Sequence, residues 1–425
     1  MNVLVIGGGG REHAIAAKIN ESKRLTKLYA APGSDGMADI AEKVPLAVTD
    51  VEGIVAFVRE KEIEMVFIGP EVPLLAGLAD ALLKEGVMVL GPEKAAAELE
   101  GSKVFSKNIM KKYAIPTGAY EVFTDASAAI AYLETAAYPT VVKADGLAAG
   151  KGVIIAENRE DAVAAVKSMM EDKVFGESGS RVVIEEFLTG EELSLLAFTD
   201  GKTVVPMIPS QDHKRIDDND EGLNTGGMGA YAPAPVGSPE IIDAAMEKVM
   251  KPLVAAMAQE GKPYRGVLYA GLMVENGDVK VLEFNARFGD PETQAVLPLL
   301  DTDIIDIVEA INRGTLDQTK IRWKDGYAVC VVISAKGYPG TPVKGDVISG
   351  LEAEAETEDT FVFHAGTKKE NGAFVSNGGR VLGVTAFDRD LKTAIEKAYA
   401  RVRTISFKEC HYRNDIGQKA FRHLT

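Results

Sequence analysis

The first hundred residues alternate short apolar runs with segments of helical periodicity, and this alternation restricts the fold more than any other feature. A segment such as Val51–Lys61 places its apolar side chains on one face of a helix, whereas each apolar run has the length of a strand. Strands that alternate with helices form a parallel sheet covered on both faces, so we predict a doubly wound N-terminal sheet. The predicted strands are 3–6, 28–31, 65–68 and 87–90, and the predicted helices are 11–21, 51–61 and 73–84.

Two further regions follow, and together they predict an α/β and α+β multidomain protein. A new unit begins near Lys103, and its short strands indicate a small subdomain at about 119–191. After Gly326, valine-rich strands, glycine turns and one helix indicate a small α+β domain of ordinary size. The predicted domains are therefore 1–101, 102–326 and 327–425.

The strand predicted to begin at Val279 carries the strongest chemical signal. Alternation with a period of two places Glu283, Asn285 and Arg287 on the same face as Val279 and Val281. Carboxylate and amide oxygens suit Mg²⁺, and an arginine beside them suits a bidentate anion. A tight, charged loop follows the strand, where sites on sheets usually lie. This strand end therefore predicts a site for a metal–nucleoside triphosphate and an anionic reaction partner.

A run of four glycines, Gly7–Gly10, stands where the first strand is predicted to turn into the first helix. Backbone N–H groups at a helix N-terminus form a ready anion site. The dinucleotide fingerprint is only approximate, because His13 occupies the place of its third glycine. We therefore favour a phosphate-bearing small molecule over NAD, and a purely structural turn is the alternative. Glu71 follows another strand at the same sheet edge and is placed to reach a sugar hydroxyl.

A second glycine-rich loop follows a strand that ends at Lys143. It contains Gly146, Gly150, Lys151 and Gly152 and leads into another strand. It is not a P-loop, which leads into a helix and has Ser or Thr after its lysine. A flexible loop between two strands can instead fold over phosphates from outside, and the alternative is a mobile hairpin with a surface lysine. We favour phosphate contact, because a lysine that ends an apolar strand is disfavoured otherwise.

A third polar strand end is Glu185-Glu186, which Phe187 and Leu188 follow directly. Backbone groups of such a linker can pair with the edge of an adenine while the apolar side chains hold the ring. Glu192, beyond the turn, can accept hydrogen bonds from ribose hydroxyls. In isolation the segment also fits a strand–turn–strand with acidic decoration.

Composition excludes several classes of function. The formal net charge of −16 argues against nucleic acid or an anionic membrane as a partner. The only two cysteines, Cys330 and Cys410, have no metal-ligand spacing and fit a reducing compartment. The N-terminus runs straight into a predicted strand, and no apolar run has the length of a membrane span. We expect a cytoplasmic monomer that binds small molecules.

Taken together and in order, these motifs resemble the ATP-grasp superfamily. The shared elements are Lys103, Lys143 before its glycine-rich loop, the Glu185–Leu188 linker and Glu283-Phe-Asn285. Within that superfamily the chain resembles the glycinamide ribonucleotide synthetases, also called phosphoribosylamine–glycine ligases. The match runs from the opening glycines to Tyr412–Gly417, and the combination is far more specific than any one motif. The segments that carry it are 7–13, 211–215, 224–229 and 287–294.

The resemblance implies a central ATP-grasp fold with the 119–191 subdomain as a lid. It implies the reaction of ATP, 5-phosphoribosylamine and glycine to give glycinamide ribonucleotide, ADP and phosphate, through a glycyl phosphate, in de novo purine biosynthesis. Glu283 and Asn285 are implied to hold Mg²⁺, or Mn²⁺, at the terminal phosphates. The residues implied to bind the phosphates, adenine and ribose of ATP are Lys103, Lys143, Lys151, Glu185, Glu186, Phe187, Leu188 and Glu192.

The resemblance also implies roles around the two amine substrates. Arg287 is expected to bind the glycine carboxylate or to stabilise the transferring phosphoryl group. Asp212, Lys214 and Asp290 are expected to orient the amine substrates. The remaining residues implied to bind substrate, several of them at the phosphoribosyl group, are Gly8, Gly9, Gly10, Glu71, Gly289 and Glu292.

One departure from the wider superfamily affects the metal. Many ATP-grasp enzymes carry an acidic ligand on the preceding strand, but the segment 268–274 contains none. We therefore predict a sparse protein ligand set that nucleotide and water complete. Three alternatives stay open: an ATP-grasp enzyme that uses bicarbonate or formate, a nicotinamide-dependent oxidoreductase built on the N-terminal sheet, and a non-catalytic nucleotide sensor.

Overall fold

The computed structural model describes residues 1–147, 152–352 and 359–424 of this 425-residue chain. In these ranges the N-terminal region forms a parallel sheet in the order β3-β2-β1-β4-β5, as predicted. Its strands are β1 (Asn2–Gly7), β2 (Lys27–Pro32), β3 (Glu42–Lys43), β4 (Met65–Ile68) and β5 (Met88–Leu90). Its helices are α1 (Gly10–Asn20), α2 (Val51–Glu60), α3 (Glu71–Leu75), α4 (Leu78–Lys84) and α5 (Lys94–Gly101).

Both faces of this sheet are buried, which explains why its strands are continuously apolar. Val3 of β1 packs in one core with Ile15 of α1, whereas Leu4 packs in another core with Ile54 of α2. The predicted single helix over 73–84 is wrong, because Gly77 adopts a left-handed conformation, with φ of +88°, between α3 and α4.

The predicted lid region forms a separate antiparallel sheet in the order β6-β9-β7-β8. Two helices cover it, and its side chains pack in a cluster of their own, around residues such as Val142, Val166 and Ile184. The elements of this region are α6 (Lys103–Lys112), β6 (Tyr120–Phe123), α7 (Ala126–Tyr132), β7 (Thr140–Ala144), β8 (Val153–Ala156), α8 (Arg159–Met170) and β9 (Val182–Glu186).

The central sheet is antiparallel in the order β11-β10-β16-β17. Asn276 and Gly277 join β16 to β17, and their φ angles of +53° and +85° fit the type I′ turn that this dipeptide favours. The helical stretch from Pro239 to Gln259 contains a π-helical turn, Met246–Met250, in its middle. The elements are β10 (Glu191–Thr199), β11 (Val204–Pro206), β12 (Gln211–Asp212), β13 (Arg215–Asp217), β14 (Glu221–Asn224), β15 (Gly229–Ala232), α9 (Pro239–Ala245), α10 (Lys251–Gln259), β16 (Gly266–Glu275), β17 (Asp278–Asn285), α11 (Glu292–Val296) and α12 (Ile304–Arg313).

The C-terminal strands share a sheet with two strands from the middle of the chain. The order is β12-β15-β18-β22-β19, and Tyr231 of β15 pairs with Val329 of β18. One apolar core therefore runs through all three regions of the chain, from Leu4 through Leu268 to Val384. The C-terminal elements are β18 (Tyr327–Ser334), β19 (Thr360–His364), β20 (Thr367–Glu370), β21 (Ala373–Ser376), β22 (Arg380–Asp388) and α13 (Leu391–Val402). Among the described helices, none combines the length and apolarity that crossing a membrane requires.

Candidate active site

A β-bulge near the end of β17 determines which side chains reach the candidate site. Gly271 of β16 pairs with Glu283, but the next residue, Leu272, pairs with Val281. Leu282 is therefore an extra residue opposite the β16 strand. A bulge of this kind reverses the alternation of side chains beyond it.

This reversal corrects the expected arrangement of the strand. Beyond the bulge, Phe284 and Ala286 enter the same core as the two valines that precede it. Glu283, Asn285 and Arg287 consequently lie on the opposite face from those valines, rather than on the same face. The three polar side chains stay together, as predicted, but the bulge and not simple alternation turns them away from the core.

Glu283 lies among lysines that come from three separate segments. Burial alone would raise the pKa of Glu283, but Lys214, Lys143 and Lys103 hold it below its ordinary value. Burial lowers the pKa of Lys103, against the attraction of Glu283. The carboxylate is therefore kept ionised inside a cationic environment, which suits an oxygen ligand for a metal that bridges phosphates.

Lys143 and Glu185 contact each other at the base of this cluster. The Lys143 ammonium donates to Glu185 Oε2 at 3.0 Å and to the Leu282 carbonyl at 3.2 Å. Lys107 reaches the same Glu185 oxygen at 3.0 Å and donates to Thr117 Oγ1 at 2.7 Å. Sequence reasoning missed Lys107, although it follows Lys103 by four residues and so lies on the same face of α6.

The linker predicted for adenine connects β9 to β10. Glu186 accepts a hydrogen bond from the Ala119 amide at 3.0 Å, and Leu188 packs close to Gly118. Glu192, predicted for the ribose, forms an ion pair with Lys214 at 2.6 Å. That ion pair joins a residue predicted to bind the nucleotide, Glu192, to a residue predicted to orient the amine substrates, Lys214. Two more residues were predicted to bind the nucleotide. Phe187 lies half-buried in the linker, and Lys151 lies outside the described residues.

Arg287 lies between two glutamates of the N-terminal region. Its Nη2 is 2.7 Å from Glu100 Oε1, and its Nε is 3.4 Å from Glu71 Oε2. Glu100 also accepts a hydrogen bond from the Ala286 amide at 2.7 Å. Burial raises the pKa of Glu100, and Arg287 opposes that shift. Sequence reasoning missed Glu100, since nothing near it in the chain indicates an arginine that lies 187 positions away.

Two carboxylates, the buried Glu292 and the half-buried Asp212, lie beside this arginine. Glu292 Oε1 accepts hydrogen bonds from Tyr269 at 2.8 Å and Ser194 at 3.0 Å. Burial and the nearby Glu292 raise the pKa of Asp212 well above its ordinary value, against the attraction of Lys214. Two neighbouring carboxylates with little access to solvent repel each other. A cationic group bound between them, such as an ammonium group, would relieve that repulsion.

Asp290 connects the strand-end loop to the glycine-rich turn. It accepts hydrogen bonds from the Arg11 amide at 3.3 Å and from Gln294 at 2.9 Å. The Gly9 amide donates to Glu12 at 2.7 Å. Two of the first N–H groups of α1 are therefore already bound by side chains. The expectation of a simple open anion site at Gly8–Gly10 is thus refined: a phosphate there has to compete with resident carboxylates.

Side chains from the C-terminal region complete the wall of the site. Arg380 donates to the carbonyls of Gly226 and Asp290 at 2.5 and 2.7 Å, and Tyr338 accepts from the Gly226 amide at 2.8 Å. These contacts fix the loop after β14 against the loop after β17. No local pattern indicates either residue, since both lie more than 90 positions from some of their partners.

The hairpin β13–β14 extends from Lys214 and is held by the segment 411–419. Arg413, which is fully buried, pairs with Asp220 at 3.0 Å. Asn414 donates from its amide and its side chain to Asp218 at 2.7 and 3.0 Å. The motif 412–417 therefore anchors the loop that carries two of the predicted substrate residues.

Buried histidines next to the site have structural partners. Burial lowers the pKa of His213 to about 3, and its ring contacts the carbonyl of Gly229. Burial likewise lowers the pKa of His13 to about 3, and its Nδ1 accepts from the His364 amide at 2.9 Å. Both rings are neutral near pH 7, so they hold the regions of the chain together rather than supply charge.

The possible protein ligands for a metal are few. Within the described ranges, no group of three or more His, Cys, Asp or Glu side chains is arranged to hold an ion. Glu283 and Asn285 offer two oxygen ligands, although Asn285 Oδ1 also lies 3.4 Å from Arg287 Nη2. Such a sparse set fits Mg²⁺ that takes its other ligands from phosphate and water.

Comparison with known proteins gives one consistent result. Models of phosphoribosylglycinamide synthetase match three consecutive stretches: the N domain at 1–100, the ATP-grasp (A) domain at 101–293 and the C domain at 328–419. The chain is 50% identical over 420 residues to the phosphoribosylamine–glycine ligase of Halalkalibacterium halodurans, covering 99% of this chain and 97% of that protein.

Two solved structures extend this comparison. The phosphoribosylamine–glycine ligase of Thermotoga maritima superposes with a TM-score of 0.84 at 34% identity, covering 98% of this chain and all of that one. The biotin carboxylase domain of the Hydrogenobacter thermophilus 2-oxoglutarate carboxylase, solved with MgADP and bicarbonate, gives a TM-score of 0.73 at 17% identity. That match covers 97% of this chain and 91% of the other, and it shows a shared fold alone.

Proposed function

This chain belongs to the phosphoribosylglycinamide synthetase family, and from that premise we propose that it ligates glycine to 5-phosphoribosylamine. The reaction consumes ATP and yields glycinamide ribonucleotide, ADP and phosphate, a step of de novo purine biosynthesis. The observation that carries the proposal is the convergence at the end of β17, where Glu283 lies among Lys103, Lys143 and Lys214 beside a carboxylate pair. The cationic part suits a polyphosphate, and the anionic part suits an amine.

The nucleotide lies, in this proposal, between the lid and β17. Lys103 and Lys143 contact phosphates, the linker Glu185–Leu188 holds adenine, and Glu192 binds the ribose. Lys151 closes over the phosphates from the lid. Support comes from the position of both described lysines beside Glu283 and from the ATP-grasp family itself.

Glu283 and Asn285 hold Mg²⁺, and we extend this to Mn²⁺. When bound, the metal neutralises charge on the terminal phosphates. The surrounding lysines keep Glu283 ionised, so its carboxylate is ready as a ligand at neutral pH.

Glycine binds on the same face of β17, next to the metal–nucleotide site, and its two charged ends are recognised separately. Asp212 and Glu292 take the ammonium group, and Gly289 leaves the space that their approach requires. Arg287 binds the glycine carboxylate and gives up its longer contact, the one with Glu71 at 3.4 Å. The 2.7 Å contact between Arg287 and Glu100 is kept. The carboxylate is thereby presented to the terminal phosphate.

The ligation then depends on positioning the substrates and neutralising the charge of the phosphates, and no covalent enzyme intermediate is required. A glycine carboxylate oxygen attacks the γ-phosphorus, the bond to ADP breaks, and glycyl phosphate forms. The ribosylamine nitrogen attacks the glycyl carbonyl carbon, phosphate leaves, and the nitrogen loses a proton. Lid closure excludes the water that would otherwise hydrolyse the acyl phosphate.

The second substrate occupies the carboxyl edge of the N-terminal sheet. Asp290, Glu71 and the turn at Gly8–Gly10 surround its phosphoribosyl group, and Lys214 orients the amine. Support comes from Asp290, which lies in the loop after β17 and accepts a hydrogen bond from the Arg11 amide, directly after the glycine-rich turn. The protein acts as a cytoplasmic monomer in this proposal, with neither nucleic acid nor membrane as a partner.

A direct assay tests the proposal. Purified protein with MgATP is given glycine, freshly made phosphoribosylamine, or both, and phosphate and the amide product are quantified. We expect phosphate only with both substrates, in an amount equal to the glycine–ribosylamine amide. Release with bicarbonate or formate instead would identify another ATP-grasp activity, and a tight NAD complex with no release would reject the ligase.

A further inference from the structure

Lys107 is a buried lysine for which the proposed reaction has no evident use. It is 2% exposed, and it lies on α6 below the predicted phosphate-binding lysines. Lysine is almost never fully buried unless its charge is paired. Its partners are Glu185 Oε2 at 3.0 Å and Thr117 Oγ1 at 2.7 Å.

The charges around Glu185 are unbalanced. One carboxylate oxygen receives two ammonium groups, from Lys107 and Lys143, each at 3.0 Å. The other oxygen, Oε1, is buried and lacks a hydrogen-bond partner among the described residues. Two positive charges and one negative charge leave this cluster with a surplus of one positive charge.

We propose that Lys107 is a positioning residue, which neutralises Glu185 so that the positive charge of Lys143 remains available to the nucleotide. Lys143 also donates to the Leu282 carbonyl at 3.2 Å, so its ammonium is already directed toward the bulged end of β17. With Lys107 absent, Glu185 and Lys143 form a closed neutral pair, and an incoming phosphate has to break it. This inference rests on the proposed nucleotide site.

The other groups that face Lys107 do not replace this role. The ring of Tyr120 on β6 lies 5.5 Å from its ammonium, and Glu186 on β9 adds a weaker attraction. Burial lowers the pKa of Lys107 to about 8, with Glu185 acting in the opposite direction. Lys107 is consequently charged at neutral pH and loses its charge in a range that activity assays reach.

Three variants test the proposal by direct binding of MgADP and of a non-hydrolysable MgATP analogue, measured by calorimetry. In Lys107→Met we expect affinity to fall about tenfold or more, because a charge-assisted contact to phosphate is weakened. Lys111→Met is the matched control: Lys111 lies one turn away on α6, is exposed, and faces the same Tyr120 ring at 5.8 Å. It should bind nucleotide like the unmodified protein.

The third variant separates positioning from stability. Lys107→Arg keeps a positive charge beside Glu185, so it should retain most of the nucleotide affinity that Lys107→Met loses. An affinity of Lys107→Arg as low as that of Lys107→Met would overturn the proposal, and so would unchanged affinity in Lys107→Met. Binding is read without glycine, so a protein that binds MgATP but ligates nothing refutes the proposed function and leaves this inference standing.

A pH series gives an independent readout. As pH rises through about 8, Lys107 loses its proton and the protein should come to resemble Lys107→Met. Nucleotide affinity of the unmodified protein should therefore decline above that pH, and the ratio of the two affinities should approach one. A ratio that stays constant across the series would contradict the proposal.

Discussion

Replacing Glu100 tests how the N-terminal region holds the arginine at the end of β17. Glu100 is 7% exposed in its side chain and binds two groups, the Arg287 guanidinium and the Ala286 amide, both at 2.7 Å. Glu100→Ala leaves the half-buried guanidinium with three contacts: Glu71 at 3.4 Å, Asn285 at 3.4 Å and the Phe288 carbonyl at 3.2 Å. All three remaining contacts are longer than the one that is lost.

The expected loss follows from these contacts. Breaking a buried ion pair by removing one partner destabilises a protein by about 3–5 kcal/mol. Because Glu71 compensates in part, we expect the lower end, about 3 kcal/mol in the free energy of unfolding. Glu100→Gln can still accept from the Ala286 amide, so its effect should be about half as large. In both variants kcat/KM for glycine should fall, because Arg287 loses its fixed position.

Urea unfolding followed by the fluorescence of the single tryptophan, Trp323, measures the first effect, and steady-state kinetics measures the second. Glu98→Ala is the matched control, since Glu98 lies on the same helix in an exposed 2.6 Å pair with Lys262 and should contribute less than about 1 kcal/mol. If Glu100→Ala behaves like Glu98→Ala in both assays, the anchoring role is wrong. In an Arg287→Ala background, the kinetic effect of Glu100→Ala should disappear.

Three further outcomes follow from the site. Gly289→Ala places a Cβ atom in steric overlap with Glu292 Oε2, so KM for glycine should rise about tenfold while MgADP affinity stays unchanged; equal losses in both would contradict the assignment. Chelation of Mg²⁺ should abolish turnover. The Glu283→Gln variant should need about tenfold more Mg²⁺ for half-maximal rate, and an unchanged Mg²⁺ concentration at half-maximal rate would exclude Glu283 as a ligand. Asp218→Ala removes both hydrogen bonds that Asn414 donates to Asp218, so hydrogen exchange of the β13–β14 amides should quicken; unchanged exchange would show that the hairpin needs no such anchor.

Sequence patterns predicted the local structure well, because periodicity and turn chemistry act over a few residues. The doubly wound N-terminal sheet is confirmed. The orientation of Glu283 relative to Val281 was wrong, because a one-residue bulge depends on the pairing with β16. Alternation within one strand contains no information about its partner's register.

The site was predictable only where the chemistry is local. Motifs predicted roles for Lys143 and Glu283, since each lies near the end of a strand where a charged residue is unusual. Glu100, Lys107 and Arg380 were missed, because their roles depend on partners brought together by tertiary packing. Of these, only Lys107 left a signal, its helical spacing from Lys103. The roles of the individual site residues stay predictions until the variants are measured.

The shared C-terminal sheet has a consequence for how the protein is made. Gly229 of β15 pairs with Val331 of β18, so β15 cannot pair until its partner has been synthesised, roughly 100 residues later. At ordinary rates of translation this delay is roughly 5–20 s. Asp212 lies on β12, which pairs with β15, and the hairpin that follows Lys214 is held by residues 411–419, which emerge later still. The nascent chain can therefore complete its N-terminal sheet early, but the segment that carries Asp212 and Lys214 reaches its final position only after residues 411–419 have been synthesised.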